Sequence, residues 1–355
     1  MQKIDGKLSA KIANLAWVCA LWIVFFHTGV IGTPQTFAAA LLNKILVGGL
    51  FSMSVPFFFL APGWLLAAHL DEPNWWGQAL KRRLHTLLVP FLILALGAFC
   101  ASSAIHLVNT HRATGSLAGV FTPLGVLSSF GLNPFDFPGH NILWYLRILM
   151  LLVLASPLLV WCLRRLGIVF VLGVFVLLCI VTPWSFTGDP ESPWRILVKA
   201  TLNDRALFFF TLGLYLRLKK TPLPSPWSFA LVGLAGGIAL WVYRFFVPGI
   251  PPGLNMVLYQ LQAICLLTFF LRVMPPVRLP FAWSAYPLFA FHTYFTCMGQ
   301  FLGFPPAAAT VESFLGQTLL AAGGSYFLAS LLKKLSPRAL HILFGARADT
   351  PPPTA

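Results

Sequence analysis

Two histidines lie inside long apolar stretches, where ionisable side chains are rare. His27 stands near the end of KIANLAWVCALWIVFFHTGV, and His292 near the middle of FAWSAYPLFAFHTYFTCMGQF. A helix rises about 1.5 Å per residue, so His27 lies roughly 24 Å from Lys11, most of the way across a hydrocarbon core of about 30 Å. An ionisable group at that depth marks a candidate functional site. The alternative is a packed histidine whose ring is hydrogen-bonded within the core.

Arginines accompany two other apolar stretches. Arg147 lies within LWYLRILMLLVLASPLL, where a guanidinium is costly unless it is paired or solvated. It either reaches the outer membrane interface or faces a polar cavity. Arg82 and Arg83 open the stretch RRLHTLLVPF. Guanidinium groups bind phosphates well, although basic residues at a cytoplasmic membrane boundary need no further function.

The composition indicates that these residues are positioned by a membrane protein. The chain has 355 residues, of which 58% are hydrophobic and only 9% charged, whereas soluble domains carry about 25% charged residues. The net charge of +15 does not indicate nucleic-acid binding, because Lys and Arg are scattered between apolar runs. The six cysteines form no CxxC or Cys/His cluster, so we expect no metal site and no disulfide framework.

The apolar pattern predicts an all-α integral membrane protein with ten transmembrane helices. We expect a single transmembrane domain at residues 1–336. The sequence from 337 to 355 ends in TPPPTA and is expected to form a cytoplasmic tail that is disordered, above all past Arg347. The predicted spans are about 10–31, 45–69, 86–108, 141–163, 167–186, 204–218, 227–246, 255–273, 280–302 and 314–332.

The distribution of basic residues predicts the orientation. One set of alternate loops and termini holds 17 Lys and Arg and the other holds six, with Arg147 inside a span. The positive-inside rule places both termini in the cytoplasm. His27 then lies toward the outer half of the membrane. The six residues on the predicted outer side are Lys44, Arg112, Arg195, Lys199, Arg205 and Arg244.

Three segments are unusual for a protein of short loops. Two long outer segments, about 109–140 and 187–203, are expected either to contact a sugar or headgroup or to seal the bundle. The second span contains SMSVPFFFLAPGWLL, in which Pro56 and Pro62 break the helical hydrogen-bond ladder. Since the freed carbonyls need partners inside a membrane, we expect this segment to be kinked and packed against protein.

Six ordered pieces of the sequence resemble the membrane-bound acyltransferase 3 family, especially its branch of sugar and exopolysaccharide O-acetyltransferases. The pieces are LAWVCALWIVFFHTG, VPFFFLAPGW, RRLHTLLVPF, LWYLRILMLLVLASPLL, RALFFFTLGLYL and SAYPLFAFHTYF. They come in the family's order between residues 15 and 294. Each piece is weakly specific, and the set as a whole is fairly specific.

The resemblance implies acyl transfer, with acetyl the expected group, from acyl-CoA to a hydroxyl of a cell-surface glycan or lipid-linked sugar. It implies a multi-pass protein of a bacterial cytoplasmic membrane that contacts lipids, with acyl-CoA as donor substrate, no bound cofactor and no nucleic-acid partner. His27 and His292 are the expected catalytic residues, His27 as general base. Arg82 and Arg83 would hold the CoA phosphates. The residues expected on the acceptor or oxyanion side are Trp144, Tyr145 and Arg147.

The sequence departs from the family pattern at four positions. Ala16 stands where a basic residue is usual, eleven positions before His27, and Pro62 replaces a serine. Thr86 and Phe289 replace a basic residue and a tyrosine. These departures favour a second hypothesis, a transporter or glycan-export component that keeps the fold without the chemistry. No acidic residue lies deep in a confident span for ion coupling, so this stays the alternative.

Overall fold

The computed structural model describes residues 5–29, 37–97, 100, 143–187, 205–301 and 310–344. Within these ranges the regular structure is helical and no strand occurs, which confirms the all-α prediction. Lys44–Gly49 and Leu84–Leu88 are π-helical, and Leu50–Met53 and Ala282–Ser284 are 3-10 turns. The helices are α1 (Gly6–Gly29), α2 (Phe37–Asn43), α3 (Ser54–Ala67), α4 (Trp75–Arg83), α5 (89–97), α6 (Leu143–Leu166), α7 (Ile168–Thr187), α8 (Ala206–Leu218), α9 (Trp227–Phe246), α10 (Pro252–Val273), α11 (Ala285–Phe301), α12 (Val311–Leu335) and α13 (Pro337–Phe344).

Six described helical stretches are long and apolar enough to cross a membrane, and two shorter apolar helices accompany them. The protein is therefore a multi-pass membrane protein by length and composition. The count of ten spans and the cytoplasmic termini stay predictions, and the long outer segments predicted at about 109–140 and 187–203 fall almost wholly outside the described residues. The six stretches are Gly6–Thr28, Ala40–Ala67, Trp144–Leu166, Trp227–Phe246, Pro252–Val273 and Val311–Leu335, and the shorter two are Ile168–Val181 and Ala206–Leu218.

Helices α1 and α11 lie side by side and run in the same direction. The rings of Trp17 and Phe281 are 4.3 Å apart between centroids. Ten residues further along α1, His27 meets His292, which is eleven residues after Phe281. Because contacts advance together along both helices, the pair is parallel. This agrees with the prediction that the first and ninth spans enter from the same side.

The first half of α1 anchors the connection between α10 and α11. Lys11 Nζ donates to the backbone carbonyl of Arg272 at 2.7 Å and also to that of Met274. The fully buried Asn14 donates to two further carbonyls of this connection, and its Oδ1 accepts from the Leu279 N–H at 2.9 Å. Lys11 therefore satisfies carbonyls that the end of α10 would otherwise leave without helical partners.

Helices α3 and α8 approach closely at two glycines. A Cβ atom added to Gly63 would overlap the carbonyl oxygen of Phe210. A Cβ atom added to Gly213 would overlap the carbonyl oxygen of Leu60. The absence of side chains at both positions lets the two backbones touch, and this fixes the proline-containing segment of α3 against α8.

Pro62 creates the link between α3 and α6. A proline has no N–H, so the carbonyl of Phe58, four residues earlier, loses its helical donor. The hydroxyl of Tyr145 on α6 donates to this carbonyl oxygen at 3.0 Å. The freed carbonyl has thus found a partner on another helix, which confirms the prediction that this segment packs against protein.

Pro56, six residues before Pro62, also has a tyrosine hydroxyl that bonds the carbonyl four residues earlier. The carbonyl of Ser52 lies four residues before it and accepts a 2.7 Å hydrogen bond from the hydroxyl of Tyr259 on α10. Ser52 itself belongs to the 3-10 turn that precedes α3. The two prolines therefore attach the α3 segment to two different helices through two tyrosines.

The tail that the sequence predicts as disordered begins with a helix. Helix α13 follows α12 directly and packs against it and against the π-helical turn Leu84–Leu88. Leu340 is 1% exposed in this contact. Apolar residues on one side of α13 can bury against the bundle, which explains why it orders. Residues 345–355 lie outside the described part of the chain.

Candidate active site

The structure brings the two predicted histidines together across 265 positions of the chain. His27 lies in the last turn of α1 and is half-buried, while His292 on α11 has no exposed surface. Their ring centroids are 5.0 Å apart, and the ring planes are inclined by 36°. Two imidazoles in contact inside an apolar bundle can exchange or share a proton, so this pair is the centre of the candidate site.

The hydrogen bond of His292 to its own helix indicates its tautomer. Nδ1 of His292 lies 2.8 Å from the carbonyl oxygen of Phe289. A carbonyl oxygen can only accept, so Nδ1 carries the proton in this bond, and in the neutral ring Nε2 carries the lone pair. The backbone of α11 therefore sets the orientation and the tautomer of the His292 ring.

The end of α1 that carries His27 is fixed by neighbours on two other segments. Thr28 Oγ1 lies 2.7 Å from Thr318 Oγ1 of α12, and Thr28 also bonds the carbonyls of its own helix. The ring of Phe25 packs 5.7 Å from that of Phe51 and 5.6 Å from that of Phe314. These contacts hold the last turn of α1, and so the position of His27, on both sides.

Aromatic rings connect the histidine pair to the predicted acceptor-side residues. The ring of Phe289 lies 6.2 Å from His292 and 5.4 Å from Tyr145. Trp144 continues the cluster, with its ring 6.4 Å from that of Tyr145. Two of the three residues predicted on this side thus share one cluster with the histidines. The phenol of Tyr145 is engaged with the Phe58 carbonyl, so it offers the site mainly its ring.

Arg147 lies two residues beyond Tyr145 on α6. It is half-buried, and its neighbours Leu146 and Ile148 are fully packed in the core. This position is compatible with both interpretations drawn from the sequence, a polar cavity and the outer interface.

The predicted donor-site arginines lie away from the histidine pair. Arg82 is exposed and its Nε donates to the Gln78 carbonyl at 3.3 Å, while Arg83 is half-buried. Helix α4, the π-helical turn and α5 form one continuous run, in which the Leu94 carbonyl accepts from the Tyr294 hydroxyl of α11 at 3.1 Å. Arg83 precedes Leu94 by eleven residues, so it lies roughly 16 Å along the helix from the level of that contact.

The π-helical turn Leu84–Leu88 follows Arg83 directly. Such turns are uncommon and occur often at functional sites. Thr86, which stands at one of the positions where the sequence departs from the family, lies in this turn and bonds the Arg82 carbonyl at 3.0 Å. Within the described ranges, no group of three or more His, Cys, Asp or Glu is placed to hold a metal ion.

The residues that assemble the site carry little signal in the sequence. Phe58 carries no chemical signal in a chain with 33 phenylalanines, and Phe289 was noticed only as a departure from the family pattern. Thr28 and Thr318 are common residue types in apolar helices, and nothing in the sequence pairs them. Only the prolines gave a usable signal, because each one identifies the carbonyl that needs a donor from elsewhere.

Comparison with known proteins adds one positive finding. A family model described as an acyltransferase domain matches residues 12–332, a range that includes both histidines, the arginines and the proline-containing segment. No curated protein and no solved structure matches the chain significantly. A match over most of the chain, together with the ordered sequence pieces and the all-α membrane fold, shows that the chain belongs to the acyltransferase 3 family.

Proposed function

We propose that this protein is a membrane-bound O-acyltransferase. It moves an acyl group, acetyl in the first instance, from acyl-CoA to a hydroxyl of a cell-surface glycan or lipid-linked sugar, in the cytoplasmic membrane of a bacterium. The family supports a membrane acyltransferase in general. The observation that carries the proposal for the site is the contact between His27, in the last turn of α1, and His292, near the middle of the parallel helix α11.

In this mechanism His27 is the general base. A hydroxyl is a poor nucleophile, and a neutral imidazole can accept its proton as the oxygen attacks the thioester carbonyl carbon. The new carbon–oxygen bond forms, the carbon–sulfur bond breaks, and the proton held by His27 passes to the departing CoA thiolate. No metal or oxidant is required, and the two products are the acylated acceptor, an ester, and CoA with a free thiol.

His292 supports the proton transfer from its fixed tautomer. Because its Nδ1–H is directed to the Phe289 carbonyl, the Nε2 lone pair of the neutral ring can accept a hydrogen bond from protonated His27. Stabilising the imidazolium makes His27 a better acceptor of the hydroxyl proton. His292 is therefore a positioning and stabilising residue for His27.

The two substrates reach the histidines from different directions. Arg82 and Arg83 hold the phosphates of the donor at one end of the α4–α5 run. The part of acyl-CoA between these phosphates and the acyl group must then extend roughly 16 Å to reach the level of Tyr294 on α11. Trp144 and Tyr145 give the acceptor an aromatic surface beside Phe289. Arg147 is proposed to stabilise the negative charge that develops on the thioester oxygen.

The decisive test is transfer of label from radioactive acetyl-CoA to extracted glycans, with membranes that contain the wild-type protein or a variant. His27→Gln keeps a polar side chain but cannot take up a proton at neutral pH. We expect its turnover to fall about 10²–10⁴-fold, the usual contribution of a general base. His69→Gln is the matched control, since His69 lies in the turn after α3 and bonds Glu72.

One observation favours the alternative of a transporter or export component without chemistry. The family usually has a basic residue where this chain has Ala16, and the nearby Lys11 is already engaged with the carbonyls of Arg272 and Met274. The same labelling experiment decides between the two. If the wild type transfers no label at normal expression, the alternative replaces the proposal. If His27→Gln transfers as fast as the wild type, the general-base mechanism is wrong.

A further inference from the structure

Three of the six basic residues predicted on the outer side converge on one place in the bundle. The guanidinium carbon of Arg205, at the start of α8, lies 4.3 Å from the ring centroid of Tyr259. The guanidinium carbon of Arg244, near the end of α9, lies 5.0 Å from the same centroid. Lys44 contacts the residue after Arg244, with Nζ 4.3 Å from the ring centroid of Phe245. Two guanidiniums on a single ring repel each other, so the arrangement has a cost that an anion would relieve.

The cluster is held in place by a buried scaffold. Tyr259 is fixed through its bond to the Ser52 carbonyl, the one that Pro56 leaves without a helical donor. Gln262 has no exposed surface, and its Nε2 donates to the Gly48 and Gly49 carbonyls at 3.1 and 3.0 Å. Tyr259 and Gln262 therefore cannot shift without breaking bonds to the segment that precedes α3.

The same scaffold orients Arg244. Its Nη1 donates to Gln262 Oε1 and its Nε donates to Asn255 Oδ1, both at 2.8 Å. A guanidinium has five N–H donors, so these two bonds set the plane of the group and leave donors for a ligand. Among the described residues, no carboxylate forms an ion pair with Arg244. Arg205, Arg244 and Tyr259 are all half-buried, and Lys44 is exposed, so the cluster can be reached from outside.

We propose that the Arg205–Tyr259–Arg244 cluster binds a phosphate group. Planar guanidiniums match phosphate oxygens with paired hydrogen bonds, and two such groups match the charge of a phosphate or diphosphate better than that of a single carboxylate. Both guanidiniums contact the Tyr259 ring, so this ring holds the two groups near each other. Lys44 adds a third positive charge at the exposed edge.

The position of the cluster relates it to acceptor binding. Ser52 follows Phe51, whose ring packs 5.6 Å from Trp22 and 5.7 Å from Phe25 on α1. Phe25 precedes His27 by two residues, so the turn that holds Tyr259 also packs, through Phe51, on the segment of α1 that carries His27. In this role, which rests on the proposed function, the cluster anchors the phosphate of a lipid-linked acceptor. The phosphate of a membrane phospholipid has the same chemistry and is the other source.

The first experiment measures binding without any acyl transfer. Inorganic pyrophosphate is titrated into the full-length protein, purified in a neutral detergent, and thermal unfolding is followed. We expect a saturable rise of the unfolding temperature for the wild type. In Arg244→Gln and Arg205→Gln the affinity should fall about 10–100-fold, the usual effect of losing a hydrogen bond to a charged group. Arg244→Lys keeps the charge but not the paired geometry and should lose less.

A matched control is available at the other end of the bundle. Arg272 also places its guanidinium over an aromatic ring, 4.9 Å from the centroid of Trp227. Arg272→Gln removes the same kind of contact and should leave the pyrophosphate affinity unchanged. If the wild type shows no saturable response, or if all three glutamine variants bind equally, the proposed phosphate site is wrong.

The second experiment distinguishes the two sources of phosphate. The protein is placed in phosphatidylcholine nanodiscs with or without phosphatidylglycerol, and pyrophosphate binding is measured again. Competition by phosphatidylglycerol that is lost in Arg244→Gln supports the site and identifies a phospholipid as its occupant. Pyrophosphate binding that is unchanged by phosphatidylglycerol also supports the site and identifies the lipid-linked acceptor as its occupant. Neither measurement depends on catalysis, so the phosphate site and the proposed enzymatic activity can fail separately.

Discussion

Tyr145→Phe is expected to destabilise the protein through one backbone carbonyl. Pro62 deprives the Phe58 carbonyl of its helical donor, and the Tyr145 hydroxyl replaces that donor at 3.0 Å. Tyr145 is 8% exposed, so water does not readily take its place. Leaving a buried acceptor without its partner should lower the free energy of unfolding by about 1–3 kcal/mol.

A double-mutant cycle isolates this effect. Pro62→Ala returns an N–H to the chain at the position from which a helix bonds the Phe58 carbonyl. Tyr145→Phe should then cost much less in the Pro62→Ala background than in the wild type, with a coupling energy on the order of 1 kcal/mol. Tyr259→Phe is the mismatched control, because Tyr259 bonds the Ser52 carbonyl that Pro56 leaves free. It should show no coupling to Pro62→Ala.

The assay is reversible unfolding of the detergent-solubilised variants, together with the rate of acyl transfer. If Tyr145→Phe costs the same in both backgrounds, the proline–tyrosine explanation is refuted. The activity adds a separate answer. If the Tyr145 hydroxyl only fixes the backbone, the rate of acyl transfer should recover in the double variant. If this hydroxyl contacts the acceptor, the rate should stay low in the double variant.

Two further predictions concern the donor and the topology. Arg83→Ala should raise the KM for acyl-CoA more than that for the acceptor, because it removes a phosphate contact, and steady-state kinetics with each substrate varied in turn measures this. An equal loss toward both substrates, or none, would leave Arg83 with a topological role alone. Reporter fusions after Lys220 and at the C-terminus should give cytoplasmic signals and a fusion within 115–135 an outer one, because basic residues accumulate on the cytoplasmic side. A cytoplasmic signal from the outer fusion would contradict the predicted span count.

The contacts among the described helices agree with the predicted alternation of sides. Lys11, on the predicted cytoplasmic side, bonds the end of α10, and Lys333 lies 4.5 Å from the ring centroid of Trp283, in the turn just before α11. At the other end, Arg205 and Arg244 meet on Tyr259. Residues assigned to one side by the charge pattern thus contact one another. This agreement follows because successive spans reverse direction in the bundle.

The sequence by itself determined the class of the protein and most of its helices. The chain has long apolar runs and too few charges to cover a water-facing surface, which indicates a membrane protein. Inside a membrane the backbone must satisfy its own hydrogen bonds, and this favours helices. The prolines could also be interpreted without a structure, since a missing N–H identifies the carbonyl four residues earlier. The short helix α13 was not predicted, because its order comes from burying Leu340 against the bundle.

Only the tertiary structure decided which residues meet. Apolar helix surfaces built from Leu, Val, Ile and Phe resemble one another, so hydropathy does not specify partners, and packing of side-chain shapes does. Nothing in the local pattern indicated that His27 would contact His292 across 265 positions, or that Arg205 and Arg244 would share one ring. Nor did it indicate that Tyr145 would donate to the carbonyl that Pro62 leaves without a helical donor, or Tyr259 to the one that Pro56 leaves. Those pairings depend on close approaches such as the one between Gly63 and Gly213, where two backbones touch because neither residue has a side chain.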